Sequence, residues 1–281
     1  MAIKWTLLGL LMYAAMGLYL LAAAAFFARV RRVGWGLFGA GFVAAVAAFV
    51  WRWLDAGHPP LQNLFEVFLG LGMLAFPLSV FSRRALGTAD EAADAILGVL
   101  VLFPAGFVFS AEPQRLPPAL QSPLFVPHVA AYMLAYFILA KAAVPAARRL
   151  FSSERGAESG KPCATAGLVR PCDTLTDNIS DDTAAYRLVS FGFPLLTLGL
   201  VLGAWWGKMA WGDYWNWDPK ELWSLAAWLV YLLYFHVRYR FGAARPRLAA
   251  AFVLVGLATI VLTLLWVNLA RLFAGLHSYA S

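Results

Sequence analysis

Charged residues are scarce in this chain. Only 13% of its 281 residues are charged, 62% are hydrophobic, and the mean hydropathy is +0.71. A soluble globular protein has about a quarter of its residues charged. Apolar runs of about 20 residues, which suffice to cross a hydrocarbon core of about 30 Å, recur along the whole sequence. No strand-like alternation accompanies them, which argues against a transmembrane barrel. Because lipid accommodates only helices or closed barrels, we predict an all-α, polytopic membrane helix bundle.

Eight apolar stretches predict about eight transmembrane helices within one domain, residues 1–281. Their predicted bounds are 5–28, 33–54, 61–81, 95–110, 124–147, 187–206, 223–241 and 248–272. The fourth stretch is short and contains glycine and proline. No small-residue cleavage pattern follows the first stretch, so we interpret it as a retained helix and not as a signal peptide.

Long polar segments and cysteines are also rare. Residues 152–183 are rich in Ser, Thr, Asp, Glu and Gly and lack an apolar stripe, which predicts a flexible cytoplasmic loop. Both cysteines of the chain, Cys163 and Cys172, lie in this segment. Their spacing matches neither a CxxC redox pair nor a usual zinc site, so two free thiols are expected.

The net charge of +7 reflects arginines near the ends of the predicted helices, which indicates membrane topology and not a nucleic-acid interface. One set of alternate loops contains Arg29, Arg31, Arg32, Arg83, Arg84, Arg148, Arg149, Arg155, Lys161, Arg170, Arg187, Arg238, Arg240, Arg245 and Arg247. The opposite side contains Lys4, Arg52, Arg115, Lys208, Lys220 and Arg271. Because basic loops stay in the cytoplasm, both termini and the loops 55–60, 111–123 and 207–222 are predicted to face outward.

Tryptophan, by contrast, is concentrated in one place. Seven of the 12 tryptophans fall within residues 205–228, around the outer loop 207–222. An aromatic belt at the membrane surface explains tryptophans at helix ends. The belt residues would be Trp205, Trp206, Trp223 and Trp228. A belt does not require Trp211, Trp215 and Trp217 to crowd the loop itself. A rigid aromatic surface at that position suits a large, flat ligand.

The end of this loop, Asp218-Pro219-Lys220-Glu221, also predicts a helix start. Asp218 is a suitable N-cap residue, and proline is favoured in the first turn. For Asp218 and Glu221 two roles stay open. They either cap the helix and pair with Lys220, or they orient an imidazole of the site.

Histidine is scarce as well, with four in the chain. His128 begins the fifth predicted helix and His277 follows the eighth, both on the predicted outer side. Either one alone is readily explained as an interfacial residue, but two imidazoles flanking a flat aromatic surface indicate a bis-histidine heme site. His236, inside the seventh helix, is either an interfacial anchor or a functional intramembrane residue. His58, in the turn DAGHPP, is interpreted as structural or as part of the mouth of the site.

The loop sequence WGDYWNWDPKE resembles the WWD motif, approximately WGxxWxWDxxE, of the heme-handling proteins of cytochrome c biogenesis. The matching residues are Trp211, Gly212, Trp215, Trp217, Asp218 and Glu221. That family flanks its motif with two external histidines, which His128 and His277 match. GHPPLQNLFE, residues 57–66, resembles the GxxPLxNxYE segment of the CcsA/ResC branch, with Phe65 in place of tyrosine. FHVRYR, residues 235–240, resembles the segment of that branch that carries an intramembrane histidine, here His236.

The resemblance implies a subunit of the system II cytochrome c synthase in the bacterial inner membrane, with its active face outside. Heme b is the implied ligand, with His128 and His277 as axial ligands and the tryptophan-rich loop 207–222, the Trp loop, against the ring. His236 is implied to be one ligand of a heme entry site completed by the partner. The implied partners are a CcsB/ResB-type membrane subunit and an apocytochrome c, whose CxxCH cysteines receive the vinyl groups. Holocytochrome c synthase activity, of the heme lyase type, is implied only together with that subunit.

Two alternatives remain. A CcmC-type heme-delivery protein shares the WWD motif, but such proteins usually have fewer spans, and GHPPLQNLFE favours the CcsA branch. An unrelated membrane transporter with an aromatic gate is the second alternative. Paired inverted repeats would favour a transporter, and none is evident in the sequence.

Overall fold

The computed structural model describes residues 4–151, 180–241 and 244–266, which contain eight α-helices and no β-strand. The helices are α1 (Leu7–Phe27), α2 (Arg31–Ala56), α3 (Leu64–Ala85), α4 (Glu91–Phe107), α5 (Phe125–Phe151), α6 (Asp181–Trp211), α7 (Pro219–Phe241) and α8 (Pro246–Val261). A 3₁₀ turn, Pro118–Gln121, precedes α5, and a π-helical turn, Leu262–Trp266, continues α8. The predicted all-α architecture is confirmed.

Six of these helices are long and apolar enough to cross a membrane by length and composition. They are α1, α2, α3, α5, α6 and α8 with part of its π-helical continuation. The helix α4 has 17 residues, and α7 has charged residues in its first and last turns. The chain is therefore a polytopic helical membrane protein, as predicted.

Two predicted loops are shorter in the structure. The helix α6 begins at Asp181 and not at residue 187, because the Ser180 hydroxyl caps it by accepting the Thr183 N–H at 3.3 Å. The last residues of the predicted loop 152–183 are consequently helical, and residues 152–179 lie outside the described part. At its other end α6 continues to Trp211, and α7 begins at Pro219. The Trp loop, which was predicted over 207–222, therefore comprises only residues 212–218 in the structure.

The helices form two groups that meet at α3 and α5. In the first group α2 packs along α1, and α4 contacts both α1 and α3. In the second group α6 and α8 pack against α5, and α7 packs on α8. The buried apolar side chains form one continuous core through both groups. The end of the bundle where α6 meets α7 and where α5 begins carries the Trp loop.

Two ion pairs are buried between helices. Arg52 of α2 pairs with Glu66 of α3 at 2.9 Å, and both side chains are almost fully excluded from solvent. Lys141 of α5 pairs with Asp94 of α4, whose carboxylate also accepts the Ser79 hydroxyl at 2.5 Å. Because a charge in an apolar interior is costly without a partner, these pairs constrain how the helices pack.

Candidate ligand cavity at the Trp loop

The Trp loop starts at a glycine that ends α6. Gly212 has φ +94°, in the left-handed region that a side chain disfavours, and its N–H donates to the Lys208 carbonyl at 3.1 Å. The Lys208 ammonium donates in turn to the Gly212 carbonyl at 2.5 Å. This turn sends the chain away from the α6 axis and makes room for residues 213–218.

The loop ends in a capping box formed by Asp218 and Glu221. The Asp218 carboxylate accepts the Lys220 N–H at 2.9 Å, and the Glu221 carboxylate accepts the Asp218 N–H at 3.2 Å. Glu221 also accepts the Asn216 N–H at 2.8 Å. The predicted helix start at Asp218-Pro219 is confirmed. The Glu221 carboxylate therefore holds the loop backbone in place, and the Asp218 carboxylate caps α7.

Beneath the loop lies an open cavity of about 180 Å³. The end of α6, the loop and the first turn of α7 contribute Trp211, Tyr214, Trp215, Lys220 and Glu221 to its lining. The opposite walls come from the first half of α5, from residues 61–64 before and at the start of α3, and from α6. Ligand cavities are usually apolar with a few convergent polar groups, and this lining matches that description.

His128 belongs to this cavity and has a defined ring orientation. Its Nδ1 lies 2.9 Å from the Gly199 carbonyl oxygen of α6. A carbonyl only accepts, so Nδ1 carries a proton, and in the neutral ring Nε2 then carries the lone pair. The ring stacks on Trp206, with centroids 5.6 Å apart and an interplanar angle of 19°. Tyr132 packs edge-on against it at 5.0 Å.

Close contact with α6 leaves no space for a side chain opposite His128. A Cβ atom at Gly203 would lie 2.5 Å from His128 Cε1. One turn earlier, a Cβ atom at Gly199 would lie 3.0 Å from the Tyr132 ring. The two glycines thus form a groove on the surface of α6, and the rings of His128 and Tyr132 from α5 lie in it.

Trp206 is the residue that sequence reasoning missed. It was expected in an aromatic belt, but it is 2% exposed, and its indole N–H donates to the Ala119 carbonyl at 2.9 Å. It stacks on His128 and packs edge-on against Trp211 at 4.7 Å. Its spacing from Gly199 and Gly203 places all three residues on one face of α6. This spacing is the feature of the sequence that could have predicted the inward position of Trp206.

The segment 57–66 supplies a second wall. Asn63 lines the cavity and caps α3 by accepting the Glu66 N–H at 3.0 Å. Glu66 does not line the cavity: its carboxylate forms the ion pair with Arg52 and accepts the Gln62 N–H at 2.8 Å. The Gln62 side chain lines the cavity and donates to the Arg115 carbonyl at 3.1 Å. This wall is therefore fixed by a cap and a buried ion pair.

The family model described as cytochrome C assembly protein matches residues 5–275. The chain belongs to the cytochrome C assembly protein family. CcsA of Synechococcus elongatus is 34% identical to it over 272 residues, covering 81% of each chain. CcsA of Guillardia theta is 33% identical over 274 residues, covering 90% of this chain and 88% of the relative. The predicted membership among CcsA-type cytochrome c biogenesis proteins is confirmed.

A solved structure of this fold is the cytochrome c heme lyase CcmF. It matches with a TM-score of 0.61 at 19% sequence identity, over 94% of this chain and 48% of CcmF. The chain therefore spans about half the length of CcmF. At that identity the match shows a shared fold.

The WWD residues of this family member do not all face the cavity. Trp211, Trp215 and Glu221 line it, whereas Gly212, Trp217 and Asp218 do not. Trp217 is 68% exposed, has φ +56°, and meets Trp215 edge-on at 6.1 Å. The structure thus divides the Trp cluster into an inward and an outward part.

The other histidines lie apart from the cavity or outside the described residues. His236 is exposed on α7, toward the end of that helix that lies away from the Trp loop. His58 contacts the carbonyl oxygens of Pro59 at 3.1 Å and Gln114 at 3.3 Å and is not a lining residue. His277 lies beyond residue 266, so its predicted role stays a prediction.

Proposed function

We propose that this chain is the heme-presenting subunit of a system II cytochrome c synthase. In this role it holds heme b at the outer face of the bacterial inner membrane, where the vinyl groups form thioether bonds with the CxxCH cysteines of an apocytochrome c. The observation that carries the proposal is that His128 and the Trp loop line the same cavity. Family membership supports it by placing the chain in cytochrome c biogenesis.

The chemistry of the cavity lining supports heme as its ligand. An imidazole whose Nε2 carries the lone pair is a ligand for heme iron, and the carbonyl bound to Nδ1 raises its basicity. Aromatic rings from the loop and α6 provide flat apolar contacts for a porphyrin. The cavity is open, so a bound porphyrin can keep one edge accessible. Exposure of one edge is what vinyl attachment to a second protein requires.

His277 is proposed as the second axial ligand. Thr263 and Leu264, in the turn that continues α8, line the cavity. His277 follows in the sequence, outside the described residues, and its proposed role rests on the resemblance to the WWD-domain proteins. The exposed position of His236 on α7 supports its proposed use in an entry site shared with a CcsB/ResB-type subunit.

Catalysis in this proposal is mainly positioning. Binding the ring in one orientation raises the effective concentration of its vinyl groups for the incoming thiols. The histidines hold the iron and set its potential, since axial ligands determine that potential. One imidazole must give way to the histidine of the CxxCH motif, so we expect one of the two ligations to be weak.

The test is heme content and cytochrome maturation in cells that express the full-length chain with its CcsB/ResB-type partner. We expect heme to copurify as a low-spin species and a reporter cytochrome c to mature. A purified complex that carries no heme, in cells that do mature the cytochrome through this chain, would overturn the proposal.

A further inference from the structure

Lys220 is a basic residue inside a mainly apolar and aromatic cavity. It is the second residue of α7, lines the cavity, and is only partly exposed. Among the described residues of the lining, it is the only lysine or arginine. The capping box fixes its backbone, because Asp218 accepts its N–H at 2.9 Å.

The surroundings of Lys220 favour the arrival of an anion. Burial lowers its pKa to about 8, and this effect outweighs the opposing attraction of Asp218. A cation that is partly removed from water gains from an anionic partner. Glu221, the neighbouring carboxylate in the lining, accepts the N–H groups of Asn216 and Asp218.

We propose that Lys220 binds a carboxylate of the cavity's ligand, and, resting on the proposed function, that this carboxylate is a heme propionate. The porphyrin carries its two propionates side by side on one edge and its vinyl groups on the remainder of the ring. An anchor for the propionate edge therefore selects one orientation of the ring. That orientation decides which edge can reach the apocytochrome, so Lys220 determines specificity without taking part in bond formation.

A purely structural role for Lys220 makes a different prediction. If its charge only balances Asp218 at the start of α7, substitutions would change stability but would affect all ligands alike. A carboxylate anchor instead distinguishes ligands that carry a carboxylate from those that do not. The ligand pair heme and heme dimethyl ester, in which both propionates are esterified, separates the two roles.

The experiment is a spectroscopic titration of the full-length chain, copurified with its partner and stripped of heme. The variants are Lys220→Gln and Lys220→Arg. Arg115→Gln, whose exposed side chain lies outside the lining, is the matched control. We expect the wild type to bind heme about tenfold more tightly than the ester, as a charge-assisted hydrogen bond allows. Lys220→Gln should bind heme and the ester equally, with the affinity that the wild type has for the ester. Lys220→Arg and Arg115→Gln should keep the preference for heme.

The outcomes distinguish this inference from the proposed function. Equal affinity of the wild type for the two ligands, or a full preference in Lys220→Gln, overturns the anchor and leaves heme binding intact. Failure of the wild-type complex to bind either ligand overturns the proposed function instead. Loss of both affinities in Lys220→Gln together with a lowered unfolding temperature assigns Lys220 a structural role and also overturns the anchor.

Discussion

At the residue scale, the tryptophans near His128 have different positions and different roles. Trp206 stacks on the imidazole and is anchored by its own hydrogen bond, so it positions the His128 ring. Trp211 packs on Trp206 and lines the cavity. Trp217, although part of the same motif, does not line the cavity and is largely exposed. Neighbours in sequence thus have separate roles that only the backbone geometry of the loop distinguishes.

This division predicts unequal effects of removing the two rings. Trp211→Ala should weaken heme binding about fivefold, since one well-placed aromatic contact contributes about 1 kcal/mol. Trp217→Ala should change the affinity by less than about twofold, because burial is what gives an aromatic contact its energy. A heme titration of both variants measures the difference. An effect of Trp217→Ala as large as that of Trp211→Ala would place the heme on the outer surface of the loop.

At the element scale, the cavity lies between the first turns of α3 and α7, and the same kind of capping arrangement fixes both helix starts. Asn63 and Glu66 begin α3, and Asp218 and Glu221 begin α7, each pair with an N-cap residue and a glutamate three positions later. In both cases the glutamate accepts backbone N–H groups of the preceding segment. The two walls are thereby held in place before any ligand arrives, which reduces the entropy lost on binding.

For Asp218, the capping role and a chemical role predict opposite results for one substitution. Asp218→Asn keeps the oxygen that caps α7 and should retain near wild-type heme binding and stability. Asp218→Ala removes that oxygen and should cost about 1 kcal/mol of stability. Thermal unfolding and heme titration of the two variants provide the comparison. Loss of function in a stable Asp218→Asn protein would show that the carboxylate charge itself is needed.

The pair of Lys141 and Asp94 makes a prediction about packing between helices. Asp94→Leu leaves the lysine charge buried without its partner and should destabilise the bundle by about 3–5 kcal/mol. The double variant Asp94→Leu with Lys141→Met should recover most of this loss, because a buried pair is often replaceable by apolar residues of similar size. Denaturant unfolding of the single and double variants gives the coupling. Equal stability of both would mean that the ion pair does not connect α4 and α5.

At the scale of the whole molecule, hydropathy was sufficient to predict the bundle, since apolar length alone identifies membrane helices. The start of α7 was also predictable, because the capping signal of Asp218 and Pro219 is local. The role of Trp206 could not be predicted, because a tryptophan at a helix end is equally consistent with an aromatic belt and with a cavity wall. The pairing of Lys141 with Asp94 was equally hidden, since it joins residues far apart in sequence. Local features such as helix caps can be predicted from a single sequence, whereas contacts between helices become known only from the folded structure.

The measurement that tests the central claim most directly is the optical spectrum of heme in the His128→Ala complex, beside a His58→Ala control. Both histidines lie on the predicted outer side, but only His128 lines the cavity. We predict that His128→Ala shifts bound heme from six- toward five-coordinate and stops cytochrome maturation, that added imidazole partly restores the spectrum, and that His58→Ala resembles the wild type. A wild-type low-spin spectrum in His128→Ala, with its loss in His58→Ala, would contradict the account and move the iron site to the turn before α3.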